Sequence, residues 1–167
     1  MKKYAILVCV AFVLTSFKGI AQEMTSGRLS ELIINVSDST QVEGNSIRFS
    51  YKGTMVICVY DENANRMRII TPIVKKEDIE EEELLNALVA NFHSALDVKY
   101  ALSDEIIWSV FIHPLKELAD HQVLDAIDQV YAAAATFGTS YSSTSLVFPG
   151  NTQKKERPKK RIERKKI

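Results

Sequence analysis

Residues 80–115 have the sequence EEEELLNALVANFHSALDVKYALSDEIIWSVFIHPL, and this stretch indicates the architecture of the whole chain. Its first half carries one apolar face at helical spacing, formed by Leu85, Leu88, Val89, Phe92 and Leu96. After this face, apolar residues alternate with Lys99 and Ala101, so the period changes from 3.6 to 2 within a few residues. Turn residues follow at 103–105, and the alternation then resumes as far as Pro114. The stretch therefore predicts a helix, a strand, a turn and a second strand.

The rest of the chain supplies further helices and strands of the same kind. A helix is predicted from about Thr25 to Val36, and the polar segment Ser37–Asn45 ends it. An amphipathic helix is predicted after Pro114, with Gly138 as its C-terminal cap. Three strands are predicted in between, over 47–51, 54–60 and 66–71, with Pro72 ending the last of them or placing it at an edge. The order is helix, three-strand antiparallel meander, helix, two-strand hairpin and helix, which predicts an α+β fold with helices packed on one sheet.

The N-terminal residues 1–21 have the pattern of a secretory signal peptide. Lys2 and Lys3 precede an apolar run from Ala5 to Phe17, and Gly19-Ile20-Ala21 supplies small residues at a cleavage site. An uncleaved membrane anchor is the alternative, but the run is shorter than the ~20 residues that span a bilayer. We therefore expect a mature chain that begins at Gln22 and is periplasmic or secreted from a bacterial cell, with no transmembrane segment after cleavage.

The formal net charge of zero conceals an acidic domain and a basic tail. Residues 154–167 hold nine basic and two acidic side chains, and residues 1–21 hold three lysines, which leaves a net charge of −10 on residues 22–153. We predict a domain over residues 22–138, a Ser/Thr-rich linker over 139–153 and a disordered basic tail over 154–167.

The basic tail has three alternative interpretations. It is a candidate for binding an anionic envelope surface, it could lie against the acidic domain itself, or it is simply solvated. Nucleic acid is not an expected partner of an exported protein. The candidate residues for anionic-surface binding are Lys154, Lys155, Arg157, Lys159, Lys160, Arg161, Arg164, Lys165 and Lys166.

Residue types that carry catalysis are scarce in the mature chain. Cys58 is the only cysteine left after signal cleavage, and its apolar neighbours favour a small buried hydrophobe over a reactive thiol. His93 stands four residues before Asp97, a spacing that fits a helix surface pair or, alternatively, the general base of a small hydrolase. No histidine has a partner at metal-ligand spacing, and the consecutive glutamates Glu80–Glu83 favour a solvated helix start over a cation site. We therefore assign no catalytic residue, no cofactor and no metal.

The strand after residue 105 is apolar on both of its faces. Ile107 and Phe111 share one face, and Trp108 lies on the other. Core packing under two helices is one interpretation, and an exposed patch for a dimer partner or a client peptide is the other. Ile107, Trp108 and Phe111 are therefore the candidate partner-binding residues.

Four short motifs resemble a known fold, namely Leu84–Phe92 with Asn86 and Asn91, Lys99–Leu102, Asp104–Trp108 and Pro114-Leu115. Together with the order of elements, they resemble the class I type III secretion chaperone fold and, more closely, a bacterial family of sensory-transduction regulator domains. The resemblance covers roughly Thr25–Gly138 and implies a non-enzymatic dimer or partner-binding module. We expect an exported protein-binding or chaperone-like homodimer, with an envelope adaptor attached through the tail and a small hydrolase as alternatives.

Overall fold

The computed structural model of the protein describes residues 23–145, which form three α-helices and six β-strands. The predicted signal peptide and basic tail lie outside these residues. A 3-10 turn, Lys76–Asp78, precedes the second helix. In chain order the elements are α1 (Ser26–Val36), β1 (Ser39–Glu43), β2 (Ser46–Tyr51), β3 (Thr54–Asp61), β4 (Arg66–Lys75), α2 (Glu81–His93), β5 (Lys99–Ser103), β6 (Ile106–His113) and α3 (Asp120–Ala135).

All six strands belong to one antiparallel sheet in the order β1-β2-β3-β4-β6-β5. Because β4 pairs with β6, the C-terminal hairpin continues the sheet begun by the meander. The predicted α+β class, with helices packed on one sheet, is confirmed. The meander has four strands rather than the expected three, because the polar residues of β1 pair with β2 across a turn at Gly44 (φ 56°).

The fourth strand also runs further than expected, to Lys75. Proline has no backbone N–H to donate to a ladder, so a strand normally ends there or carries a bulge. The register between β4 and β6 shifts between Pro72 and Val74, which marks such an irregularity. Proline is thus accommodated within the sheet at this bulge.

The core lies between one face of the sheet and helices α1 and α3. Alternate residues of the strands are buried on this face, and they meet the apolar stripes of the two helices. Thr25 caps α1, because its hydroxyl accepts a hydrogen bond from the N–H of Arg28 at 3.2 Å. The sheet is also joined to α3 by two buried hydroxyls: Ser109 donates to the carbonyl of Val130 at 2.9 Å, and Tyr100 to that of Ala133 at 2.8 Å.

The last helix begins at Asp120, later than expected after Pro114. Gln122 fixes this start, because its side-chain oxygen accepts a hydrogen bond from the N–H of Ala119 at 2.8 Å. The packed core also continues beyond residue 138. Tyr141 is buried against the ring of Tyr100 in an edge-to-face contact with centroids 6.0 Å apart.

Candidate binding surfaces

The histidine–aspartate pair considered for catalysis is not assembled. Within residues 23–145, no hydrogen bond or ion pair joins His93 to Asp97. The ring of His93 instead meets Phe92 edge-on, and a carboxylate oxygen of Asp97 accepts a hydrogen bond from Gln129 at 3.3 Å. The part of the chain that the structure describes also holds no group of three potential metal ligands.

Cys58 is buried, as its apolar neighbours predict. Burial raises the pKa of its thiol to about 12, because the thiolate would lose its hydration. The nucleophilic form of cysteine is the thiolate, so at neutral pH this side chain behaves as a small hydrophobe.

Two of the three candidate partner-binding residues lie inside the protein. Ile107 is 1% exposed and Phe111 is 7% exposed, so both belong to the core and neither is available as a surface anchor. Trp108 is half-buried on the opposite face of the sheet, where its indole N–H donates to the carbonyl of Ser103 at 3.2 Å. The sequence shows that both faces of β6 are apolar, but it does not show which of the two faces the helices cover.

The face of the sheet opposite α1 and α3 is an apolar surface, which we call the open face. Cross-strand pairing places side chains of neighbouring strands side by side, and Ile57, Ile70 and Val110 form one such row. Ile112, in the next row, is 62% exposed. The apolar residues of the open face are Met55, Ile57, Val59, Ile70, Pro72, Trp108, Val110 and Ile112.

Basic side chains stand among these apolar residues. Arg48 pairs with Ile57 at one end of the first row, and Lys99 pairs with Val110 at the other. Arg68 lies between Val59 and Ile112 in the second row. Among residues 23–145, neither of these arginines has a carboxylate partner within ion-pair distance. The open face is therefore a basic and apolar surface on a domain that is acidic as a whole.

Helix α2 exposes the apolar face that the sequence analysis identified. Phe92 is 85% exposed, and Leu85, Leu88 and Val89 are each about half exposed. The helix packs inward through small residues instead, because Ala87 and Ala90 are its buried positions. We call the residues Leu85, Leu88, Val89 and Phe92 the α2 face.

Asn91 attaches α2 to the edge of the sheet. Its side-chain oxygen accepts a hydrogen bond from the N–H of Tyr100 at 2.7 Å, and its amide donates to the carbonyl of the same residue at 3.1 Å. The two bonds satisfy backbone groups that an edge strand would otherwise offer to another chain. The β5 edge is thus occupied at Tyr100, whereas β1, at the other edge, is exposed along most of its length.

No helix within residues 23–145 has both the length and the hydropathy needed to cross a bilayer.

Comparison with known proteins gives a likeness of fold. No protein-family model matches the chain, so the expected regulator family finds no support, and no curated protein matches it either. Among solved structures, the chain is similar to a chain of the HopA1–SchA chaperone–effector complex, with a TM-score of 0.53 and 10% sequence identity. The match covers 65% of this chain and 88% of the other. The expected chaperone-like fold is therefore confirmed.

Proposed function

We propose that this protein is an exported, non-enzymatic module that binds a polypeptide client on the open face of its sheet. The observation that carries the proposal is an apolar sheet surface that is most exposed at Ile112 and contains basic side chains. Exposed apolar patches on soluble domains mark sites of interaction. The likeness to a chain of a chaperone–effector complex supports the same function class.

The chemistry of the open face defines the client. An extended segment presents every second side chain to one surface, so apolar residues at alternate positions would meet rows such as Ile57, Ile70 and Val110. Arg48 and Arg68 favour carboxylates beside these apolar anchors, because arginine pairs bidentately with them. We therefore propose a client segment in which apolar and acidic residues are mixed.

Export and assembly complete the proposal. The signal-peptide pattern of residues 1–21 supports export to the periplasm or the cell exterior, with the mature N-terminus at Gln22. Mass spectrometry of the native protein tests this, since an intact Met1 would refute cleavage.

We also propose a homodimer, formed where the exposed β1 strands of two copies pair edge to edge.

Client binding can be measured with a peptide of defined chemistry. The probe is a fluorescein-labelled peptide with the repeat Val-Ser-Glu-Ser, which places its valines and glutamates on the same side of an extended chain. Its anisotropy is followed as mature protein is added. We expect saturable binding that Ile112→Asp weakens roughly 10- to 100-fold, because burying an isoleucine contributes about 1.5–3 kcal/mol.

The matched control is Ile34→Asp, which alters an exposed isoleucine of α1 away from the open face. It should leave the affinity unchanged, and a peptide with lysine in place of glutamate should bind more weakly. Failure of the acidic peptide to bind, or equal losses from both substitutions, would refute the proposal.

A further inference from the structure

The α2 face is an apolar surface that the client-binding proposal does not use. Its four side chains follow the spacing i, i+3, i+4, i+7, so they form one continuous stripe along the helix. Phe92, at the C-terminal end of the stripe, is 85% exposed. A stripe of this kind normally packs against another segment.

The C-terminal end of α2 is also where the described chain ends. The N–H of Ser143 donates to the carbonyl of Ser94 at 3.2 Å, and the Ser143 hydroxyl donates to that of Ala95 at 2.8 Å. The hydroxyl of Ser94 in turn donates to the carbonyl of Tyr141 at 2.7 Å. Residues 146–167 therefore start from a point that is fastened beside the last turn of α2.

We propose that residues 146–167 fold back along α2, with Leu146-Val147-Phe148 on the α2 face and the basic residues from Lys154 onward at the acidic start of the helix. Apolar and charged residues follow one another in matching order along the two segments, and this match is the basis of the proposal. Passing from the C-terminal to the N-terminal end of α2, the surface is first apolar, from Phe92 to Leu85, and then acidic. The departing chain is likewise first apolar and then basic.

The distances allow this path. Helix α2 has 13 residues and is therefore about 20 Å long, at a rise of about 1.5 Å per residue. Lys154 is nine residues beyond Ser145, and an extended chain of that length spans about 30 Å. The first basic residue thus reaches the far end of the helix with several ångströms to spare.

The surface charges favour docking of the basic tail on the α2 face over docking on the open face. Glu81 stands four residues before Leu85 and Glu82 stands seven before Val89, so the stripe ends at carboxylates. Neither carboxylate has an ion-pair partner within residues 23–145. The open face carries Arg48 and Arg68, which repel the nine basic residues of the tail. The tail contact does not depend on client binding, so each proposal can fail without the other.

Disulfide trapping tests the contact in the full mature chain. The variant Val89→Cys with Val147→Cys joins the α2 face to the apolar part of the tail, and the buried Cys58 does not compete. The control pair, Met55→Cys with Val147→Cys, places the first cysteine on the open face. Under mild oxidation we expect the α2 pair to form an intramolecular disulfide at least ten times faster, as measured by mass spectrometry.

The charge part of the contact is tested in the same assay. Glu82→Lys in the α2 pair should slow trapping severalfold, whereas Glu43→Lys on the distant strand β1 changes net charge equally and should not. Salt of about 1 M should also slow it, because the Debye length is then only about 3 Å. Equal rates for the two cysteine pairs, or no response to Glu82→Lys, would overturn the proposal. A mainly intermolecular disulfide would assign the α2 face to a second copy of the chain and would also overturn it.

Discussion

The side chain of Asn91 blocks part of the exposed edge of strand β5. An unpaired strand edge offers backbone N–H and carbonyl groups to any other chain, and proteins block such edges in several ways. Here an amide side chain from α2 bonds to both backbone groups of Tyr100, much as a neighbouring strand would. The same two bonds hold α2 against β5. One residue thus positions a helix and blocks the β5 edge at Tyr100.

Replacing this residue should therefore cost stability. We expect Asn91→Ala to lower the free energy of unfolding by about 1–3 kcal/mol, because both backbone groups of Tyr100 lose a partner in a partly buried site. Urea unfolding of the mature protein measures the change. Asn63→Ala, in the exposed turn between β3 and β4, is the control and should change stability by less than about 0.5 kcal/mol. Equal effects of the two substitutions would contradict the role given to Asn91.

Because its thiol is buried, Cys58 should make the folded protein less stable at alkaline pH. Burial raises the pKa of its thiol from 9.0 to about 12 in the folded protein, so the unfolded chain ionises first as pH rises. The stability that comes from keeping this thiol protonated is complete below about pH 9 and is lost as pH rises from about 9 to 12. Urea unfolding at about pH 8, 9 and 10 should show a steeper loss for the natural protein than for Cys58→Ala. Parallel pH profiles would mean that the thiol is not shielded.

At the scale of elements, the sequence predicts what packs against the core better than what stays uncovered. Alternation and helical spacing locate α1, β2, β3 and β6, because each buries one regular set of side chains. Strand β1 is missed because it lies at an exposed edge, where Val42 is its single large apolar residue. The stripe on α2 is visible in the sequence, but periodicity does not say whether a stripe is covered. The same limit applies to β6, in which Ile107 and Ile112 have opposite environments.

The attachment of α3 to the sheet can be tested through one buried hydroxyl. Tyr100→Phe removes the hydrogen bond to the carbonyl of Ala133 and keeps the ring in place, so it should lower the free energy of unfolding by about 1–3 kcal/mol. Tyr60→Phe is the matched control, because that hydroxyl lies at the surface and bonds to the carbonyl of Gly44 at 3.3 Å. Tyr60→Phe should lower the free energy of unfolding by less than about 0.5 kcal/mol. A larger effect at Tyr60 would contradict this account of how α3 is held.

At the scale of the whole molecule, apolar surface is divided between two places of opposite charge. The open face carries Arg48, Arg68 and Lys99, whereas the α2 face ends at Glu81 and Glu82. This separation suits different partners, since like charges across an interface disfavour binding. Two copies that met through their open faces would place arginines against arginines. The edge strand β1 avoids this conflict, because its sequence STQVE contains no basic residue.

We predict that two copies of the protein form a dimer by pairing the edges of their β1 strands. Proteins block exposed edge strands with lysine or proline, and β1 has neither, so two copies can extend their sheets into one. Light scattering on the mature protein should give the mass of a dimer, and Val42→Lys should reduce it to that of a monomer with an unchanged circular dichroism spectrum. Ile34→Lys is the control, because Ile34 and Val42 are both 52% exposed but Ile34 lies on α1. It should leave the dimer intact. A monomer before any substitution, or dissociation by both lysines, would exclude this arrangement.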